Sequence, residues 1–296
     1  MVKPPRVSVL MTVHNAAPYL RQAIDSILNQ TCSDWELIAV DNGSTDESPN
    51  ILASYLDPRI RVTALVEDIG RTPALRLAFD RVRGAYIAVL DADDRAHPAR
   101  LTRQMAHLDE HPDVVLVGTW ALHIDEAGHV VDRWTVPTDP QALHEWIGWG
   151  NPIVHSSAMY RAAVASAVGG YPVECPYAQD LGLWLRLAQH GRLAMIGEYL
   201  CERRVLSQSM TGRRQFRVDV ARDTLVLLDY AREHLALGKE GLRRNRERTA
   251  ITSLKYGLAL LQDGQVLGGC RAIGRAFLGG PAVIFRHGGL LKYLVK

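Results

Sequence analysis

The chain has only four cysteines, Cys32, Cys175, Cys201 and Cys270, and no two lie close together. This excludes a Cys-x-x-Cys zinc or redox motif and gives no disulfide framework, which fits a reducing cytoplasm. Long hydrophobic runs are missing too. The apolar stretch nearest the start, residues 7–13, is too short to cross a bilayer and has no small-residue cleavage site, so it reads as a strand rather than a signal peptide. No later run reaches spanning length. There is no internal repeat or low-complexity segment, and 47% hydrophobic with 22% charged residues in a 296-residue chain is an ordinary globular balance. Net charge is only +2. That small value hides an asymmetry: from Lys239 onward 11 Lys and Arg face 3 Asp and Glu, a surplus of eight, whereas the first 238 residues carry a deficit of six. A basic tail on an acidic body suits an anionic surface, and equally a pair of helices with solvated arginines.

What is present is organised around residues 85–94, where the apolar run Ala85-Tyr86-Ile87-Ala88-Val89-Leu90 stops at Asp91, Asp93 and Asp94. The run has the character of a buried parallel strand, which places the acids at its carboxyl end, where open α/β sheets form their ligand crevice. Three carboxylates so close together repel one another unless a cation or hydrogen-bond donors compensate. Asp93 or Asp94 can also simply cap the helix expected over residues 98–111.

The chain before this point repeats one unit. Strands are expected at residues 7–13, 35–40, 61–66 and 85–90. Helices follow the first three: one with Leu20, Ala23, Ile24, Ile27 and Leu28 on a single stripe, one opened by the capping-box spacing of Ser44 and Glu47 and running to Leu56, and one starting at Thr72-Pro73. Successive βα units predict a parallel, Rossmann-like sheet. Beyond the acids the rhythm changes. Residues 114–124 and 130–136 look like a strand pair, residues 151–160 like strand or loop lining a site, and 179–187 like a helix with Asp180 at its start. A strand at 193–200 and helical patterns at 216–237 and 242–261 follow. The expected fold is therefore α/β, with a mixed, mostly parallel sheet flanked by helices and a C-terminal helical extension.

Polar residues collect after each strand: Thr12, His14 and Asn15 after the first, Asp41 and Ser44 after the second, Gly70 and Arg71 after the third, and the acids after the fourth. Such convergence suits a nucleotide. Asp41 can accept from a base N–H or a ribose hydroxyl, and Arg71 can pair with a phosphate. Hard carboxylate oxygens suit Mg or Mn bridged to a diphosphate.

The motifs Val7-Ser8-Val9-Leu10-Met11-Thr12-Val13-His14-Asn15, Asn29-Gln30-Thr31, residues 36–46 with Asp41-Asn42-Gly43-Ser44, residues 84–94 and Gln179-Asp180-Leu181-Gly182-Leu183-Trp184 strongly resemble the family-2 inverting glycosyltransferases of GT-A fold, as used in bacterial surface-polysaccharide assembly. The resemblance covers residues 7–211. It implies that Asp41 recognises the base, Asp91 lies near ribose, Asp93 holds a divalent metal on the diphosphate, and Asp180 is the general base. It also implies a GT-A domain over residues 1–212, divided into a nucleotide-binding half (1–97) and an acceptor and catalytic half (98–212), before a helical region (213–296). The donor would be a nucleotide sugar, with a UDP-sugar favoured, and the acceptor a saccharide or lipid-linked saccharide. Three positions depart from the family pattern. Gln179 stands for a glutamate, Asn42 for a common aspartate, and Leu206 for a histidine that approaches the metal or diphosphate, which implies weak metal affinity without the nucleotide sugar.

On the acceptor side, His155, Gln179, Trp184 and Arg204 are the candidates, although a histidine in such a strand also serves structurally and Trp184 suits core packing as well as a sugar face. Arg204 can also contact phosphate. The apolar, basic segment from Gly264 onward fits the inner face of an anionic membrane, packing on the catalytic domain, or a homodimer contact. No nucleic-acid partner is expected. A nucleotidyltransferase shares such a fold but would carry a glycine-rich basic loop where His14-Asn15-Ala16-Ala17 stands. A catalytically silent sugar-nucleotide-binding scaffold is the other alternative, with Asp93 and Asp180 against it.

Overall fold

The computed structural model describes residues 4–206 and 216–279. The domain boundary expected at residues 212 and 213 and the apolar and basic positions beyond 279 lie outside the described residues.

Strands β1 (Val7–Val13), β2 (Trp35–Asn42) and β4 (Tyr86–Val89) are buried along almost their whole length, as parallel strands covered on both faces must be. With β3 (Ile60–Leu65) they pair in parallel in the order β3-β2-β1-β4, with Val7 opposite both Trp35 and Tyr86. Helices α1 (Ala17–Leu28), α2 (Ser48–Ala53) and α3 (Arg71–Phe79) make the crossovers. α1 buries Leu20, Ala23, Ile24 and Ile27 against the sheet, the stripe its periodicity predicts. α2 is shorter than expected: it ends at Ala53 and leaves Leu56 91% exposed.

After β4 the sheet turns mixed. β5 (Arg95–Ala96), α4 (Arg100–Glu110), β6 (Val114–Ile124), β7 (Val130–Trp134), β8 (Met159–Arg161), α6 (Ala162–Ala167) and β9 (Arg192–Arg204) follow, with α5 (Pro140–Ile147) between β7 and β8. β8 adds antiparallel to β4, and the order continues β8-β6-β9-β5, with β7 paired to β6. β9 runs further than the expected 193–200 because its register on β6 continues from Val114 opposite Arg192 to Ile124 opposite Arg204. Each added residue there gains ladder partners that are not visible locally in the sequence.

Two compact units result. One, residues 4–143, 152–173 and 186–206, contains the whole sheet; the other comprises residues 144–151, 174–185 and 216–279. Within the second, α8 (Arg217–His234) packs on α9 (Lys239–Gln262), and α9 on α10 (Val266–Gly279). The buried Asn245 ties α9 down by donating to the carbonyls of Leu228 at 2.9 Å and Gly148 at 2.6 Å. α10 is separated from α9 by a turn with Gly264 at φ 77°, and Gly257 and Gly269 let the two helices approach closely: a Cβ on Gly269 would sit 2.9 Å from the Gly257 carbonyl oxygen. Among the described residues no helix is long and apolar enough to cross a membrane.

Candidate active site

The loops after β1 and β2 are laced together. Asn15 adopts a left-handed conformation (φ 51°), which asparagine tolerates, and its N–H donates to Ser44 Oγ at 3.0 Å while its Oδ1 accepts from the Thr45 N–H at 2.8 Å. Ser48 Oγ accepts from the Ala16 N–H and Asp46 Oδ2 from the Ala17 N–H, both at 3.0 Å. The expected capping box of Ser44 and Glu47 therefore does not form. These side chains serve the start of α1 instead, because the parallel pairing of β1 and β2 brings that helix's free N–H groups alongside them.

Asp41, 3% exposed, accepts from the Ser44 N–H at 3.2 Å. Thr12 is half-buried opposite Val40. His14 Nδ1 donates to the Asn42 carbonyl at 2.8 Å. The Asn42 amide works in both directions, donating to Asp68 Oδ1 at 2.5 Å and accepting from the Ile69 N–H at 3.0 Å. An aspartate here would set two carboxylates against each other, which gives the departure at Asn42 a physical reason. Gly43 has φ +66°, and a Cβ would strike the main chain of Glu67 and Asp68, so only glycine fits between the two loops.

At the end of β4 one carboxylate oxygen each from Asp91, Asp93 and Asp94 lie within 4.8 Å of one another. Their environments separate them. Asp91 accepts from one Arg71 guanidinium nitrogen at 2.7 Å on both oxygens and from His155 Nδ1 at 2.9 Å. Burial alone would raise its carboxyl, but the Arg71 guanidinium and the His155 ring prevail and hold it well below the usual carboxylate range. Asp93 goes the other way, raised by burial and then by the charge of Asp91. Asp94, 3% exposed, is pushed well up by burial, Asp93 and Asp91. Asp94 is not the helix cap: its Oδ1 accepts from the Arg204 N–H at 2.7 Å, and the residue before α4 is Ala99. Among the described residues no side chain donates to the Asp93 carboxylate; Arg204 reaches only its backbone carbonyl. Crowded hard oxygens, with Asp93 left open, fit Mg or Mn, and Asp93 is the residue that would hold the ion.

Arg204 faces inward. It is 4% exposed, lies over the Tyr19 ring at 4.3 Å, and donates to the carbonyls of Asp93, Asp125 and Glu126 and to Gln22. It braces the acidic loop rather than reaching toward an acceptor or diphosphate. His155, expected on the acceptor side, is fixed against Asp91, with its Nε2 3.1 Å from the Tyr171 hydroxyl.

In the second unit Asp180 stands in the first turn of α7 (Gln179–Leu187), where its Oδ2 accepts from Asn151 Nδ2 at 2.7 Å and its Oδ1 from the Leu181 N–H at 2.8 Å. Gln179 is 6% exposed. Trp184 is fully buried, so it packs in the core and presents no face to a sugar. Sequence reasoning missed Ser156, Tyr171 and Asn151 as partners of Asp91, His155 and Asp180. Only the Asn151-Pro152 and Ser156-Ser157 punctuation marked their neighbourhood.

A mixed sheet whose parallel half carries polar loops at its carboxyl edge, with a carboxylate cluster after the fourth strand, defines an α/β protein of GT-A type. The profile described as glycosyl transferase family 2 matches residues 8–169, and the chain belongs to that family. The O-antigen biosynthesis glycosyltransferase WbnJ of Escherichia coli is 33% identical over 187 residues, 61% of this chain and 71% of WbnJ. Among solved structures, Staphylococcus aureus TarS 1–349 in complex with UDP-GlcNAc superposes with a TM-score of 0.64 at 16% identity, covering 96% of this chain and 92% of that one. The mannosyltransferase PcManGT of Pyrobaculum calidifontis, in complex with GDP-Man and Mn2+, gives 0.61 at 21% identity, covering 99% and 81%. These two show the GT-A fold.

Proposed function

We propose that the protein is an inverting glycosyltransferase that moves a sugar from a nucleoside-diphosphate donor to a saccharide or lipid-linked saccharide in surface-polysaccharide assembly. The observation that carries this reading is the trio of carboxylates after β4, with Asp93 left open, in a chain of family 2. The UDP-GlcNAc and GDP-Man in the neighbouring structures support a nucleotide-sugar donor.

Asp41, buried beside the β1 and β2 loops, accepts from the base, and Thr12, His14, Asn15 and Ser44 shape that end of the donor site. Asp91 faces ribose. Arg71, 32% exposed at the start of α3 and paired with Asp91, pairs with the diphosphate when the donor binds. Asp93 would hold a divalent ion, which would supply charge neutralisation to the leaving nucleoside diphosphate. Asp180 takes the proton of the acceptor hydroxyl as that oxygen forms its bond to the anomeric carbon. The bond from that carbon to the donor phosphate oxygen breaks, its electron pair leaves with the diphosphate, and one displacement inverts the centre. Asn151 holds the Asp180 carboxylate by one oxygen, which orients the other. Gln179 keeps a second carboxylate away from this base.

The basic C-terminal region meets the anionic inner face of the membrane that carries the lipid-linked acceptor. Sedimentation with anionic but not neutral vesicles supports this contact, and equal recovery with both refutes it.

The test is transfer and hydrolysis from UDP-, GDP- and dTDP-sugars with and without manganese, beside Asp180→Asn, with the anomeric configuration of the product read by NMR. An inverted product, and loss of transfer in the variant, are expected. Full activity of Asp180→Asn removes it as the base, a retained anomer removes the single displacement, and absence of nucleotide binding removes the whole reading.

A further inference from the structure

Asp91 is fastened twice to one short turn. Its N–H donates to Ser156 Oγ at 3.0 Å, and its side chain accepts from His155 Nδ1 at 2.9 Å. Both partners lie in the 3-10 turn His155–Ser157, which the antiparallel pairing of β8 with β4 delivers beside the end of β4; the Val89 N–H donates to the Ala158 carbonyl at 3.2 Å. The far side of the His155 ring is held as well. Nε2 lies 3.1 Å from the Tyr171 hydroxyl, which lies 3.1 Å from that of Tyr160, and both tyrosines are fully buried. An imidazole bonded at each nitrogen and packed edge-on against Tyr171 cannot rotate. Arg71, the other partner of Asp91, also lies 3.1 Å from His155 Nδ1, but it is 32% exposed against 7% for His155 and stands on a long, flexible stem.

Resting on the donor reading above, we infer that His155, backed by Tyr171 and Tyr160, is a positioning residue for the nucleotide donor. It holds the Asp91 carboxylate in place while Arg71 turns from Asp91 to the incoming diphosphate. A diphosphate competes with Asp91 for Arg71 because it offers the guanidinium more negative charge. Without His155, Asp91 would lose its orientation at the moment the donor needs it. His155 thus belongs to the donor side and not the acceptor side, and it acts through Asp91 without touching the sugar.

The test compares His155→Leu, which keeps bulk but no donor, with His155→Asn, whose amide stands where Nδ1–H does, and with Tyr171→Phe, which removes the hydroxyl shared by Nε2 and Tyr160 and leaves the bond to Asp91 in place. Binding of UDP and GDP with Mn2+ is measured by calorimetry, KM and kcat for the donor are determined, and melting temperature serves as the folding control. His155→Leu is expected to raise the nucleotide Kd and donor KM about tenfold, the scale of one hydrogen bond to a charged group, with kcat changing far less. His155→Asn restores most of the loss and Tyr171→Phe shows an intermediate one. If His155→Leu does not fold, the Asn and Phe variants carry the comparison, with near-wild-type binding expected for Asn and weakened binding for Phe. Equal nucleotide affinity in all the folded variants overturns the inference, as does an Asn variant that binds no better than Leu or, where Leu does not fold, no better than Phe. Failure of the wild-type protein to bind either nucleotide overturns the donor reading itself.

Discussion

Asn42 donates to Asp68 at 2.5 Å and accepts from the Ile69 N–H, and a carboxylate can fill only the second of these roles. Asn42→Asp keeps the shape, loses the donor and places a second negative charge against Asp68, so a loss of about 1 to 3 kcal/mol is expected in urea melts. Adding Asp68→Asn restores the donor and acceptor pair. A double mutant no more stable than Asn42→Asp contradicts the account. The acids proposed for chemistry differ from one another in the same local terms. Asp93, the open carboxylate, is expected on replacement by Asn to abolish the manganese dependence of nucleotide binding, read by calorimetry with and without the ion. Asp180→Asn is expected to leave nucleotide binding intact and to lower kcat by about a hundredfold to ten-thousandfold, the range for loss of a general base. A variant that loses both functions would put Asp180 in the donor site.

The elements show why some of this was legible and some not. β1, β2, β4 and the α1 stripe could be read directly, because burial on both faces and a 3.6-residue period are written in consecutive residues. β5, with two residues, and β8, with three, carry no period at all; they exist because β9 and β4 offer them ladders. His155 therefore could be singled out as a residue but not assigned to Asp91, since that contact depends on the β8 register. The Ser44 and Glu47 spacing was a true local signal overruled by a neighbour: the β1 loop takes up Ser44, Asp46 and Ser48 first. Trp184 had two readings in sequence and burial decided for the core, whereas Arg204 takes a bracing role that neither of its readings named. The loop meeting gives an element-scale prediction at Gly43. Gly43→Ala must adopt φ +66° and displace the main chain of the β3–α3 connection, at a cost of about 1 to 3 kcal/mol. The melting temperature should drop and nucleotide affinity should weaken with it, because Asp41 and Ser44 flank the residue. An unchanged melt excludes the tight approach described here.

Glu36 joins parts of the sheet unit that are far apart in the chain, at the edge opposite the acids. Its side chain is 2% exposed and accepts from Ser8 Oγ at 2.7 Å, from the Arg83 guanidinium at 2.8 and 2.5 Å, from the Arg83 N–H at 3.1 Å and from Arg61 at 2.9 Å. It thereby links β1, β2, β3 and the turn before β4. Burial pushes its carboxyl up, but the bonds from Arg83, Ser8 and Arg61 outweigh that and bring it below its ordinary 4.5. A carboxyl whose value is lower folded than unfolded contributes stability that is complete above the unfolded value and fades as pH falls through the folded one. Glu36→Gln keeps the volume and removes the charge, leaving Arg83 and Arg61 without their shared partner, so a loss of about 2 to 3 kcal/mol is expected at neutral pH. The gap between wild type and variant should stay constant at pH values well above 4.5 and then close as pH falls through the folded value, as protonation makes the two side chains alike. Urea unfolding across that range reads it directly. A gap that persists undiminished in acid would mean that Glu36 acts through shape alone, and that the ion cluster at this edge of the sheet does not contribute to its stability.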